Sequence, residues 1–66
     1  MRRPIVLKFE RMKRGYTQKS LAEKLGFSQV FISQLEIGYR TPGKNAAKKL
    51  EEVFQMPADE LMKEAQ

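Results

Sequence analysis

Histidine and cysteine are both absent from this chain. Imidazole acid–base chemistry, thiolate nucleophiles, disulfides and thiolate metal sites are therefore excluded. Metal binding would rest on carboxylates alone, and no metal or cofactor site is expected. The chemistry left is reversible hydrogen bonding, and its clearest carrier is the stretch SQVFISQLE at residues 28–36. Gln29, Ser33 and Gln34 stand at i, i+4 and i+5, so on a helix they share one outer stripe. A glutamine amide sets a donor beside an acceptor, which matches the adenine edge in a major groove. A serine hydroxyl reaches bases or phosphates. Val30 and Phe31, beside this stripe, suit contact with thymine methyl groups. Phe31 could equally cover the edge of the core or meet a protein. Ile37 is a further exposed apolar residue without an assigned role.

Such a stripe works only if something rigid holds it. The flanking sequence supplies two short helices and a tight turn, over about residues 17–37. Thr17 can cap the first helix, and Leu21, Ala22 and Leu25 give it one apolar stripe. Gly26 stops it, and Ser28 caps the second helix, whose Ile32 and Leu35 face inward. Gly38 ends that helix. Ala22 is small where the two helices must approach most closely, and Phe27 tucks inward from the turn. Helices this short and this tightly joined must cross steeply.

The pattern T-Q-x-x-L-A-x-x-L-G-x-S-x-x-x-I-S-x-x-E-x-G resembles the helix-turn-helix of the Cro/C1-type (XRE) repressor family. The likeness continues through Arg40 and Pro42, and more weakly to Leu61, so it covers most of the chain. It implies an all-α, compact five-helix, lambda-repressor-like DNA-binding domain with helix 3 as the recognition helix. It implies that Gln18 meets the DNA backbone and braces the recognition helix. It also implies a salt bridge between Arg11 and Glu36; from charge alone both would be read as solvated. The loop GYRTPG resembles the family segment that runs along the backbone beside the groove. The chain departs from the family at Glu10, where an apolar residue is usual, at Gly43 in place of a Ser or Asp cap, and at Lys44 in place of an apolar residue.

The remaining elements follow in order. A first helix is expected over residues 4–14, with Pro4 in its first turn and Gly15 ending it. Leu7 is its core residue, with Phe9 and Met12 as partners. Tyr16 packs beside the Thr17 cap. In the later loop Arg40 is the best phosphate contact by charge, and Tyr39 offers a hydroxyl and a flat face. Lys44 and Asn45 follow at the positive end of helix 4, and Lys19 adds general electrostatic help. Ala46, Ala47, Leu50, Val53 and Phe54 form the apolar face of helix 4, which Met56-Pro57 breaks. Asp59 and Glu60 open a last short helix, and Leu61, with Met62 or Ala65, closes the core.

Charge agrees with a polyanion partner. The 66 residues carry 13 basic and eight acidic side chains, net +5. Residues 1–26 hold +6, residues 27–50 hold +3 and residues 51–66 hold −4. The basic body contains the two-helix motif, while the acidic tail is kept from DNA. One domain spanning residues 1–66 is expected, with a thin core: a chain this size buries about 60% of its unfolded surface. The apolar run Ile5-Val6-Leu7 is too short for a leader or a membrane span, so a soluble, cytoplasmic protein is expected; no repeat, low-complexity segment or linker appears, and no appended sensor or oligomerisation domain is expected.

The expectation is a sequence-specific, double-stranded DNA-binding regulator, a repressor, acting as a homodimer through its C-terminal helices on an inverted repeat. No small-molecule ligand is expected. An antitoxin or controller protein of the same fold has the same residues. The alternative from another class is a protein-interaction module using Val30, Phe31 and Ile37. Catalysis would need a carboxylate pair in a pocket, for which so small a domain has little room, so no enzyme is expected.

Overall fold

A computed structural model describes residues 4–65. Residues 1–3, whose two arginines count toward the basic N-terminal part, lie outside the described residues. Five helices follow one another: α1 (Val6–Lys13), α2 (Gln18–Leu25), α3 (Gln29–Glu36), α4 (Lys44–Phe54) and α5 (Ala58–Leu61). Among the described residues the one extended pairing is an antiparallel bridge between Ile5 and Glu64. No described helix is long and apolar enough to cross a membrane.

The first helix starts two residues later than the sequence predicts. Pro4 lies outside it, and Ile5 is its N-cap with extended backbone. The segment after α5 is the reason. It doubles back along the chain start, so that Val6 N–H donates to the Lys63 carbonyl at 2.8 Å and Ala65 N–H donates to the Pro4 carbonyl at 2.9 Å. The first bond also satisfies one of the four backbone donors that every helix start leaves open.

The face of α1 differs too. Leu7 is fully buried, but Phe9 and Met12 are 48% and 55% exposed, not its core partners. The buried partner of Leu7 is Arg11. Residues i and i+4 share a helix face, whereas Phe9 is turned about 200° from Leu7. Choosing Arg11 for the inside forces Phe9 outside. Glu10, where the family pattern is apolar, is half-buried and forms an ion pair with Arg14. Arg14 in turn donates to the Phe54 carbonyl at 3.1 Å and lies 5.0 Å above the Phe54 ring. The Arg14 guanidinium holds the Glu10 carboxyl below its ordinary range.

Three helices close in the same way, each with a glycine followed by an aromatic residue. The aromatic N–H reaches back to a carbonyl of the last turn: Tyr16 to Arg11 at 3.1 Å, Phe27 to Ala22 at 2.8 Å, Tyr39 to Gln34 at 2.9 Å. This closure needs a left-handed residue just before the aromatic one. Gly26, at φ 77°, meets that need between α2 and α3. Two of the closures carry a ring back onto the core, at Tyr16 and Phe27, whereas Tyr39 is 74% exposed.

The core is built from Ile5, Leu7, Leu21, Ala22, Leu25, Ile32, Leu35, Leu50, Phe54 and Leu61. Helix α4 contributes Ala46, Leu50 and Phe54 as buried residues, with Ala47 and Val53 half-buried. Leu61 is fully buried, and Met62 packs against it from outside the core. Asp59 and Glu60 do sit in the first turn of α5. Glu51 accepts from Ala58 N–H at 2.7 Å and so caps that helix from α4.

The N-cap of α4 is Gly43, at φ −70° and ψ 177°, with no side-chain cap. A Cβ built there meets nothing within 4 Å. Gly43→Ser should therefore raise stability by about 0.5–1 kcal/mol. The hydroxyl would cap an open N–H, and the unfolded chain would lose freedom. Urea denaturation of the two proteins reads this directly, and a lower midpoint would show that the cap cannot form.

Candidate nucleic-acid interface

Helices α2 and α3 pack closely, joined by the turn Gly26-Phe27-Ser28. Both starts are capped as their residues dictate. The Thr17 hydroxyl accepts from Ser20 N–H at 2.9 Å, and the Ser20 hydroxyl returns the bond to Thr17 N–H at 2.9 Å. The Ser28 hydroxyl accepts from Phe31 N–H at 3.1 Å. Ala22 is 2% exposed and belongs to the core, so its site tolerates little more than a methyl group. Lys49, on α4, adds a tie that the sequence pattern does not single out. Its ammonium donates to the Leu25 carbonyl at 3.2 Å and lies 5.1 Å above the Phe27 ring. A cation at a helix C-terminus is favoured by the helix dipole.

One buried polar cluster locks this pair of helices to α1. Arg11 Nε donates to Glu36 Oε2 at 2.6 Å, and Arg11 Nη2 donates to Glu36 Oε1 at 3.2 Å. Arg11 Nη1 donates to the Tyr16 carbonyl at 2.8 Å. Gln18 Nε2 donates to the same Glu36 Oε1 at 3.1 Å. The two charged residues are 8% and 5% exposed. Forked, charge-assisted bonds are among the strong ones. No buried side-chain polar atom is left without a partner among the described residues. Gln18, the first residue of α2, is thus a brace to the last residue of α3. One N–H of its amide remains for an outside acceptor.

The outer face of α3 is then fixed in direction. Gln29 and Val30 are exposed, Ser33 and Gln34 are half-buried, and Val30 is 63% exposed. Phe31 is less outward than the sequence predicts. It is half-buried, packs against the core and meets Phe27 edge to face with ring centroids 5.0 Å apart. Covering the core edge, one of the roles its position left open, is what its ring does. Ile37 is 57% exposed as the C-cap of α3.

The flanking cations and polar residues lie outside the core. Lys19, Tyr39, Arg40, Lys44 and Asn45 are all exposed, while Gln18 is half-buried. Arg40 is not solitary, since its Nε donates to Gln34 Oε1 at 2.6 Å. The closure at Gly38, φ 78°, turns the chain so that Arg40 comes back over the sixth residue of α3. The arrangement offers a row of hydrogen-bonding groups on a rigid helix, with Arg40 bonded to its sixth residue. Among the described residues no group of three or more carboxylates could hold a metal.

The model of the family described as Helix-turn-helix matches residues 7–61. Among curated proteins the chain is similar to the HTH-type transcriptional regulator ImmR of Bacillus subtilis (strain 168). The two are 39% identical over 56 residues, 85% of this chain and 44% of that protein. The chain thus spans under half the length of that relative. No solved structure matches it.

Proposed function

Since the chain belongs to the Cro/C1-type helix-turn-helix family, we propose that it is a sequence-specific, double-stranded DNA-binding transcriptional regulator. In this reading it is a repressor that binds an inverted-repeat operator as a homodimer, in the cytoplasm, with α3 in the major groove. The observation that carries the reading is the polar face of α3, mounted on the buried cluster of Arg11, Glu36 and Gln18.

Gln29, Ser33 and Gln34 read base edges, and Val30 meets thymine methyl groups. Phe31 contributes only the part of its ring that Phe27 and the core leave uncovered. Phosphates are met by Lys19, Arg40, Lys44 and Asn45, by the Tyr39 hydroxyl, and by the remaining amide N–H of Gln18. These contacts set register, and the face of α3 sets sequence. A two-fold dimer would set two such helices about 34 Å apart on one side of the duplex. The C-terminal helices are the proposed dimer surface. Val53, Met56 and Met62, half-buried in the monomer, are the apolar side chains left there to cover.

A protein-interaction surface of Val30, Phe31 and Ile37 is the weaker reading, because Phe31 is already half covered. Selection of bound duplexes from a random DNA library separates the two. Enrichment of an inverted repeat supports the operator reading, and Gln29→Ala should then relax preference at one base pair of each half-site. The operator reading fails if no duplex is enriched.

A further inference from the structure

Gln34, alone among the residues proposed to read bases, has its side-chain amide held by another side chain. Arg40 Nε donates to its Oε1 at 2.6 Å. The Gln34 carbonyl also accepts from Tyr39 N–H at 2.9 Å and from Arg40 N–H at 3.2 Å. Main chain and side chain of Arg40 are therefore both pinned to one residue of α3. Gln29, by contrast, makes no side-chain hydrogen bond among the described residues. Amide oxygen and nitrogen are often hard to tell apart, and their assignment comes from the hydrogen bonds they make. Here the partner decides. A guanidinium has only donors, so the atom facing Arg40 is the amide oxygen; one of its two lone pairs is taken, while both N–H groups of Nε2 are open to a ligand.

We propose that Arg40 biases Gln34 toward donating, so that the base facing Gln34 is selected for an acceptor edge, guanine above all, rather than for adenine. The proposal rests on the reading that α3 enters the major groove. An unassisted glutamine pairs its donor and its acceptor with adenine N7 and the adenine amino group. The Gln34 oxygen already holds a charge-assisted bond, of the stronger class. An adenine amino group approaching that oxygen would share it with Arg40, and its hydrogens would face a fixed positive charge. Guanine presents O6 and N7, both acceptors. The two amide N–H groups of Gln34 are donors matched to that edge, while the terminal nitrogens of Arg40 are left to the phosphate. Two glutamines of one helix are thereby given different tasks. Gln29 keeps the adenine-type face and Gln34 is biased away from it.

The test uses duplexes enriched from the random library, with the base pair facing Gln34 varied through all four choices. Gln34→Ala identifies that pair, because preference vanishes there and nowhere else. The wild-type chain should prefer guanine to adenine at it by roughly five- to 150-fold, the range that one good base contact commands. Arg40→Ala should move the preference at that one pair toward adenine and leave the other positions unchanged. Loss of the Arg40 charge weakens all duplexes alike and lowers the salt slope by about one per subunit, so the ratio between bases is the deciding readout. Arg40 is exposed, and thermal unfolding of the variant should match that of the wild type. The proposal is overturned if Arg40→Ala changes affinity and salt slope but not preference, which would leave Arg40 a phosphate contact only. It is also overturned if the wild type already prefers adenine there. Should the wild type enrich no duplex, the failure lies in the DNA-binding reading itself, a result no Arg40 variant is needed to recognise.

Discussion

Arg11→Ala should lower the free energy of unfolding by about 3–5 kcal/mol, the cost of leaving one member of a buried ion pair alone. Glu36 would keep only its bond from Gln18 while remaining 5% exposed. A domain of 66 residues has a total stability of about 3–10 kcal/mol, so this one change brings it close to unfolding at room temperature. Glu36→Ala should be of similar size, since it strands the Arg11 guanidinium. The double variant Arg11→Met with Glu36→Leu should be far less damaging than either single loss, because no buried charge is left unpaired. Urea midpoints for the four proteins give the comparison. A single-variant loss below about 1 kcal/mol would place this pair with surface ion pairs and contradict its buried role. The double variant carries a second expectation. It keeps the fold but removes the brace between Gln18 and Glu36, so DNA affinity should fall although stability recovers.

Phe54→Ala should cost about 3–5 kcal/mol. Phe54 is 1% exposed and is among the largest fully buried side chains. Its loss opens a cavity in the core and removes the ring beneath Arg14. The surroundings can collapse only partly, because Leu7, Leu50 and Leu61 are themselves fully buried. Phe9→Ala is the control of the same chemistry. With Phe9 48% exposed, its truncation should change stability by about 0.5 kcal/mol or less, as for surface sites away from special features. Equal losses at the two positions would mean that the outward face of α1 is wrongly assigned.

Helices α2 and α3 are legible in the sequence because every signal there is local. Thr17, Ser28, Gly26 and Gly38 act on their own few residues, and the inward positions Leu21, Leu25, Ile32 and Leu35 follow the helical period. Helix α1 is harder for the opposite reason. Its start is set by a pairing with the chain end, between Ile5 and Glu64, and its buried face is chosen by Arg11. An arginine inside is not a position that hydrophobic periodicity selects. Charge alone does not separate Arg11 from the other basic residues; only its register with Glu36 does. Glu51 reads as one more acid of a solvated helix, yet it caps α5 from the preceding helix, a contact between elements that no local pattern announces. The bond between Arg40 and Gln34 had a visible trace. Gly38, just beyond the Ile37 cap of α3, returns the chain onto its last turn, and Arg40 is the cation it brings back.

Helix α3 and the exposed cations are proposed to face a nucleic-acid duplex. The most direct test is the affinity of the wild-type chain for a selected duplex as salt is raised from about 50 to 200 mM. Lys19, Arg40 and Lys44, all exposed, are the three cations per subunit proposed to meet phosphates. In a dimer the slope of log affinity against log salt should be about −5, a loss of roughly a thousandfold over that range. A slope near zero would contradict DNA binding by this face, because no contact with DNA phosphates can be salt-independent.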